Sequence, residues 1–339
     1  MEKSDKKPIF IIELNEFNYE LIKLAIKENE LPNLKKVFNF KTSNYKTNDR
    51  YNSGFLEPWV QWVSVHTGKS SKVHQIKHLG DVPDCTFVPF WQTLSELNIT
   101  TGVWGVMNGA RGNSRQNKFF FPDPWTFTEQ AYPDNLNQLL DLPRYLAKNY
   151  RNLKKGKLIA KGFGLLKGIL KSGWFKAIVK EAINLRSHLK TYGKHHFVYI
   201  AWFDNIVTRM VCELKKKHQP QVTVLFLNSL AHIQHHHWTK GEKTITPQIL
   251  YGLQYMDKTL GHIMSMFPED MIIVHNGLSQ MNTNHEKPWV LYRQKDPFTC
   301  LKALGLNPAQ VEQHMTHDGH AFFKTQEERD AAFDALKAI

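Results

Sequence analysis

The sequence predicts an α/β fold: a doubly wound, mostly parallel central sheet with helices on both faces and a basic helical insert. Three observations predict it. Short apolar runs such as Ile9–Leu14 and Val222–Leu227 alternate with longer helix-like stretches. These runs are apolar at nearly every position, which is typical of strands covered on both sides. The positive charge is concentrated in one block, residues 143–195, which interrupts the alternation.

The first part of the chain alternates strand and helix patterns. Ile9–Leu14 is predicted to be a strand and Tyr19–Glu28 a helix, and Leu31–Leu34 opens a second short helix. Further on, Phe90–Leu97 is predicted to be helical and Thr101–Val106 a strand. We therefore expect this part to supply one portion of the sheet.

The alternation resumes after the basic block. Phe197–Trp202 is predicted to be a strand, Asn205–Lys217 a helix and Val222–Leu227 a strand. Pro247–Met266 carries an apolar stripe at helical spacing, and Met271–Val274 follows it as another strand. The simplest domain organisation is one α/β core made of residues 1–142 and 196–339, with residues 143–195 as an insert or cap.

The insert is strongly basic. It holds fourteen lysines and arginines and a single acid, Glu181, which matches the formal charge of +13 of the whole chain. Apolar residues recur at helical spacing, and glycines at 162, 164, 168 and 173 predict short, interrupted helices. The block is either a solvated helical face or a surface for anionic lipid, nucleic acid or an anionic substrate. Nucleic acid is the least favoured, because lysine dominates and no binding motif is present.

Composition excludes several classes of protein. With 42% apolar and 22% charged residues among 339, the bulk of the chain is not disordered. No apolar run approaches the ~20 residues that a membrane-spanning helix needs. Met1–Pro8 is charged and lacks a secretory pattern, so we expect a cytoplasmic protein, with or without peripheral membrane contact. The three cysteines are too widely spaced for a disulfide framework or a paired-cysteine zinc site.

Polar residues follow three of the predicted strands, where ligands bind in open α/β sheets. They are Glu13, Asn15, Glu16, Asn228, His232, His235, His236, His237, His275 and Asn276. On a helix, His232, His235 and His236 would share one face and reach one zinc ion, although histidines also cap and pack. Near the end of the chain, His317, Asp318 and His320 form a second group, which is either a polar turn or part of a site.

Several segments resemble the alkaline phosphatase superfamily, in particular its type I phosphodiesterase/nucleotide pyrophosphatase-like branch. The most specific match is Thr67-Gly68 with His74 seven residues after the threonine. Weaker matches are Leu31–Leu34, Phe121–Trp125, Ala231–His235 and Ile272–Gly277. The resemblance covers most of the chain except the insert, and it implies an alkaline-phosphatase-like fold with a metal-dependent active site.

The sequence also departs from that family. Pro58, next to Glu57, stands where the family has its Thr or Ser nucleophile. Asn15, Ala231, and His275 with Asn276 replace most of the metal-binding carboxylates. The ligand set that the resemblance leaves is Asn15, His235, His275 and His320. A set with so little negative charge favours one divalent ion or none. The expected ion is zinc, with manganese as an alternative.

These residues predict a divergent metal-dependent hydrolase of phosphoric mono- or diesters, acting on a sugar, nucleotide-linked or lipid-linked substrate. Glu57 would be the general base or a further carboxylate ligand, and Arg111 and Asn276 would bind the small anionic substrate. Two alternatives stay open. The protein could be a catalytically degenerate member of the fold that binds an anionic ligand, a membrane surface or a partner without turnover. Alternatively, the insert is the functional part and docks on an anionic membrane or polymer.

Overall fold

The computed structural model describes residues 7–47, 57–150, 153–171, 173–238, 245–281, 294–313 and 319–338. Five strands form the central sheet: β1 Ile9–Leu14, β2 Thr101–Trp104, β3 Asn117–Phe121, β4 Val222–Leu227 and β5 Met271–His275. Their order is β3-β2-β4-β1-β5, and every neighbouring pair is parallel. A separate antiparallel pair is formed by β6 Gln310–Gln313 and β7 Gly319–Phe322. The predicted parallel α/β fold is confirmed.

Helices surround the sheet. They are α1 Tyr19–Glu28, α2 Pro32–Phe38, α3 Pro58–Thr67, α4 Ser71–His74, α5 Phe90–Glu96, α6 Asn137–Asn149, α7 Lys155–Lys171, α8 Phe175–Tyr192, α9 His196–His218, α10 Ser229–His237, α11 Pro247–Met266, α12 Pro297–Ala303 and α13 Gln326–Lys337. Phe10 and Ile12 of β1 pack into one apolar cluster, and Ile9 and Ile11 pack against another. Because neighbouring side chains of a strand point to opposite faces, both faces of the sheet are covered.

Central strands are buried most completely. All six residues of β4, which lies between β1 and β2, are buried, as its continuous apolar run predicts. The register of β1 sets Glu13 beside Phe226 on one side and His275 on the other. The carboxyl ends of β1, β4 and β5 therefore meet at one edge of the sheet.

Three local expectations were wrong. Phe197–Trp202 belongs to α9 and not to a strand, because its buried positions continue the packing surface of a 23-residue helix. Glycines 162, 164 and 168 lie inside α7 and do not interrupt it; the break comes at Gly173, whose φ is +77°. Strand β2 ends at Trp104, two residues earlier than expected.

The basic region is built from two long helices. α7 packs on α6, where the absence of a side chain at Gly168 leaves room for Leu139. α8 packs on α9. Residue 143, the first residue of the predicted insert, lies inside α6. No described helix combines the length and the apolar character that crossing a membrane requires.

Candidate functional site

Glu13, at the end of β1, is the centre of a buried polar network. Its carboxylate is fully buried and lies 3.0 Å from His66 Nε2 and 3.6 Å from His275 Nε2. Burial alone would raise the pKa of Glu13, but the two imidazoles outweigh it and lower that pKa to about 2. His66 comes from α3 and is itself 2% exposed. The carboxylate of Glu13 is therefore buried between the two imidazoles.

Asn15 is held by protein groups on both sides of its amide. Its Oδ1 accepts a hydrogen bond from Trp62 Nε1 at 2.7 Å, and its Nδ2 donates to Asn228 Oδ1 at 2.8 Å. Asn276 Nδ2 likewise donates to the carbonyl oxygen of Phe17 at 2.9 Å. The sequence predicts Asn15 as a metal ligand and Asn276 as a substrate contact. In the structure, both side chains tie the strand-end loops together.

His232, His235 and His236 lie on one helix, α10, as predicted. Their side chains, however, do not converge on one point. His235 Nε2 lies 3.4 Å from Glu16 Oε2. The rings of His232 and His236 instead face His196 of α9. Their centroids lie 6.2 Å and 5.7 Å, respectively, from the centroid of the His196 ring. The shared face thus contacts two different elements.

A different group of side chains does converge. His78, Asp81 and His320 each offer one ligand atom, these atoms all lie within 4.8 Å of one another, and the three residues are half-buried. The two imidazole rings are nearly perpendicular, with centroids 5.5 Å apart. Within the described ranges, this is the one group of three His, Cys, Asp or Glu residues that meets this spacing. We call it the loop triad.

Three of the predicted ligands lie beside three different acidic side chains. His320 lies on β7 with His78 and Asp81, whereas His235 and His275 contact the carboxylates Glu16 and Glu13. The other residues of the predicted C-terminal group, at positions 317 and 318, lie outside the described residues. Sequence reasoning missed His78 and Asp81, which stand in a short loop without a periodic pattern.

Asn108 fixes the loop that carries two members of the triad. It is fully buried and has a φ of +51°, a backbone conformation that asparagine tolerates better than most residues. Its Oδ1 accepts from the backbone amides of Gly80 and Val82 at 3.0 and 3.3 Å. Its Nδ2 donates to the carbonyl oxygens of His78 and Trp59 at 3.0 and 3.2 Å. The loop is therefore tied to the first turn of α3.

Glu57 precedes that first turn. It occupies the N-cap position of α3 in an extended conformation, but its side chain makes no capping hydrogen bond. Pro58 is the first helical residue, a position where proline is favoured because its missing N–H needs no partner. Residue 58, where the sequence resemblance suggests a nucleophile, is thus a helix start without a hydroxyl group.

Arg111 turns toward an aromatic ring. Its guanidinium carbon lies 4.0 Å from the centroid of Tyr132, and Nη2 donates to the carbonyl oxygen of Ser114 at 3.4 Å. Nearby, a cavity of about 290 Å³ is lined by residues that include His66, Thr67, Gln92, Asn113 and Glu129. Its described lining contains no lysine or arginine. The cavity therefore offers an anionic ligand neither an ammonium nor a guanidinium group from its described lining.

Fold and site together define an α/β protein with a closed polar network at the strand ends and a candidate metal centre in the adjoining loops. No family model and no curated protein matches the chain. It is similar to two crystal structures of phosphonoacetate hydrolase from Sinorhizobium meliloti 1021, in complex with phosphonoacetate and with phosphonoformate. Sequence identities are 14% and 15%; each comparison has a TM-score of 0.47 and covers 98% of this chain and 73% of the other. Function has to be argued from this chain's own residues.

Proposed function

We propose that the protein is a hydrolase of phosphoric mono- or diesters that uses one divalent cation held by His78, Asp81 and His320. The observation that supports this proposal is the convergence of two imidazoles and one carboxylate within 4.8 Å. Catalytic zinc sites use three protein ligands and leave one coordination position open. Zinc suits this donor set, and manganese is the alternative.

The donor chemistry fits a cation at the loop triad and not at the strand ends. The Oδ1 of Asn15 already accepts a hydrogen bond from the indole of Trp62. The fully buried carboxylate of Glu13 already pairs with the imidazoles of His66 and His275. The triad is half-buried, so a substrate could approach it. A bound cation would supply Lewis-acid stabilisation of the negative charge on the phosphoryl oxygens.

The chain's own residues would supply the remaining chemistry. Because Pro58 has no hydroxyl group, water is the proposed nucleophile, and Glu57 would accept its proton as general base. Asn108 would position the triad by holding its loop against α3. Arg111 and Asn276 stay sequence-based predictions of substrate contacts, since both side chains have protein partners in the structure.

Turnover of aryl phosphates tests the proposal. Untagged protein loaded with zinc should hydrolyse p-nitrophenyl phosphate or bis(p-nitrophenyl) phosphate, and chelation should abolish the activity. Glu57→Gln should retain the metal but lower kcat by about 10²- to 10⁴-fold, the usual contribution of a general base. Glu30→Gln, on an exposed residue before α2, is the matched control and should leave kcat unchanged. Activity that survives complete metal removal would contradict the proposal.

A second candidate function is binding without turnover. Pro58 at the nucleophile position and the closed network around Glu13 favour it. In that case the zinc-loaded protein would bind inorganic phosphate saturably but would hydrolyse neither ester. The same preparations therefore separate the two candidates.

A further inference from the structure

Helix α7 has an apolar side that the rest of the fold does not cover. Ile159, Phe163, Leu166 and Leu170 are 60%, 68%, 45% and 53% exposed. They recur at i, i+4, i+7 and i+11, so they form one stripe along the helix. Different residues of α7, such as Leu165 and Ile169, pack against the core. The exposed stripe is therefore additional to the apolar surface that holds α7 in place.

Helix α8 repeats this arrangement. Phe175, Val179 and Ile183 are 46%, 40% and 66% exposed and stand four residues apart. Ile178 and Leu185 pack against the core from another side of the helix. Two consecutive helices thus each present large apolar side chains to solvent, which is unusual for a surface without a partner.

The charges around these stripes are positive. Lys155 and Lys167 stand four residues from Ile159 and Phe163, so each lies next to the stripe of α7. The exposed lysines of the two helices include Lys155, Lys157, Lys167, Lys171, Lys180 and Lys190. The single acid of the block, Glu181, is 1% exposed and pairs with Arg209 at 2.6 Å. It is removed from the surface and does not offset the lysines.

We propose that α7 and α8 form a docking surface for an anionic lipid membrane. Large apolar side chains bordered by lysines match the interface of such a membrane, where the apolar groups enter the headgroup–acyl boundary and the lysines contact anionic headgroups. The long aliphatic stems of lysine allow both contacts at once. A nucleic acid would use the charge but would leave the apolar stripes in water, so it fits the surface less well.

Sedimentation of the full chain with lipid vesicles tests this surface. The protein should bind vesicles of phosphatidylcholine with phosphatidylserine, bind pure phosphatidylcholine far more weakly, and dissociate at high salt. Replacing Lys155, Lys167, Lys171 and Lys190 by Gln should weaken binding on the order of 100- to 1000-fold, since each lysine near an anionic surface contributes roughly a fivefold factor.

Two further variants sharpen the test. Phe163→Ser with Leu166→Ser keeps the charge and should still weaken binding, because it removes the inserting side chains. The matched control replaces Lys23, Lys27, Lys35 and Lys36 by Gln, four exposed lysines of α1 and α2, and should bind normally. Equal weakening by the two lysine sets would overturn the proposal. Tight binding to a DNA duplex without binding to anionic vesicles would overturn it as well.

Discussion

The strand-end network around Glu13 and the loop triad around His78 contain the same kinds of side chain but differ in how these are used. Glu13 is fully buried and lies near two imidazoles, His66 and His275, on neighbouring elements. Asp81 also stands with two imidazoles, but all three ligand atoms lie within 4.8 Å of one another and the residues are half-buried. In the strand-end network, a carboxylate is buried between two histidines. In the loop triad, the three ligand atoms lie close enough together to bind one ion.

This difference shows that a position in a fold does not fix its chemistry. The carboxyl ends of parallel strands are where ligands bind in open α/β sheets. Here that edge carries a carboxylate beside two imidazoles, and asparagine amides that are hydrogen-bonded to protein groups. If this account is correct, changes at the strand ends affect mainly folding stability, and changes at the loop triad affect mainly metal binding.

The largest effect is expected for Glu13→Ala. Removing one partner of a buried ion pair leaves the other without compensation, so the free energy of unfolding should fall by about 3–5 kcal/mol. Urea unfolding at pH 7 measures it. A loss below about 1 kcal/mol would show that the network around Glu13 is not structural.

The same residue predicts a pH dependence. The pKa of Glu13 falls from its ordinary value of 4.5 to about 2 in the folded protein. Its ionised form therefore stabilises the fold above pH 4.5, and this contribution is lost as the pH falls toward 2. Compared with Glu13→Gln, the wild type should lose its stability advantage across that window. A difference that stays constant between pH 5 and pH 2 would contradict the ion pair.

An intermediate effect is expected for Asn15→Asp, which places a carboxylate at the first metal-ligand position that the sequence resemblance suggests. The new oxygen would face Asn228 Oδ1, where Nδ2 now donates at 2.8 Å, and the new charge would lie near Glu16. We expect a loss of about 1–3 kcal/mol in the free energy of unfolding and no gain in bound metal. Calorimetry with metal analysis checks both. A gain of one ion per chain would show that the strand-end site is open after all.

The smallest effect on stability is expected for His78→Ala. The residue is half-buried, so in a chelator the free energy of unfolding should change by less than ~1 kcal/mol. Metal binding should nevertheless be lost. A large loss of stability in the chelator would assign His78 a structural role like that of Glu13.

Much of the fold could be predicted because local pattern and burial agree. β4 is apolar at every position except Thr223 and is fully buried in the middle of the sheet. Phe197–Trp202 misled because its aromatic and β-branched residues favour strands, while tertiary packing along α9 decides the outcome. β3 was missed because it begins with the polar residues Asn117 and Lys118, so only its last three residues are apolar.

The site was less predictable. Chain topology indicated that Asn15, Asn228 and His275 would meet at one edge, because the ends of neighbouring parallel strands meet there. It could not show that Trp62 would occupy the Asn15 oxygen. Nor could it show that His320 would approach a loop about 240 residues earlier, because no periodic pattern connects these segments.

The metal content of untagged protein, measured by elemental mass spectrometry after loading with zinc, distinguishes the loop triad from the strand ends. We expect about one ion per chain in the wild type and in His235→Ala, and almost none in His78→Ala or His320→Ala. Loss of the ion in His235→Ala or His275→Ala, with His78→Ala still loaded, would contradict it and place the metal at the strand ends.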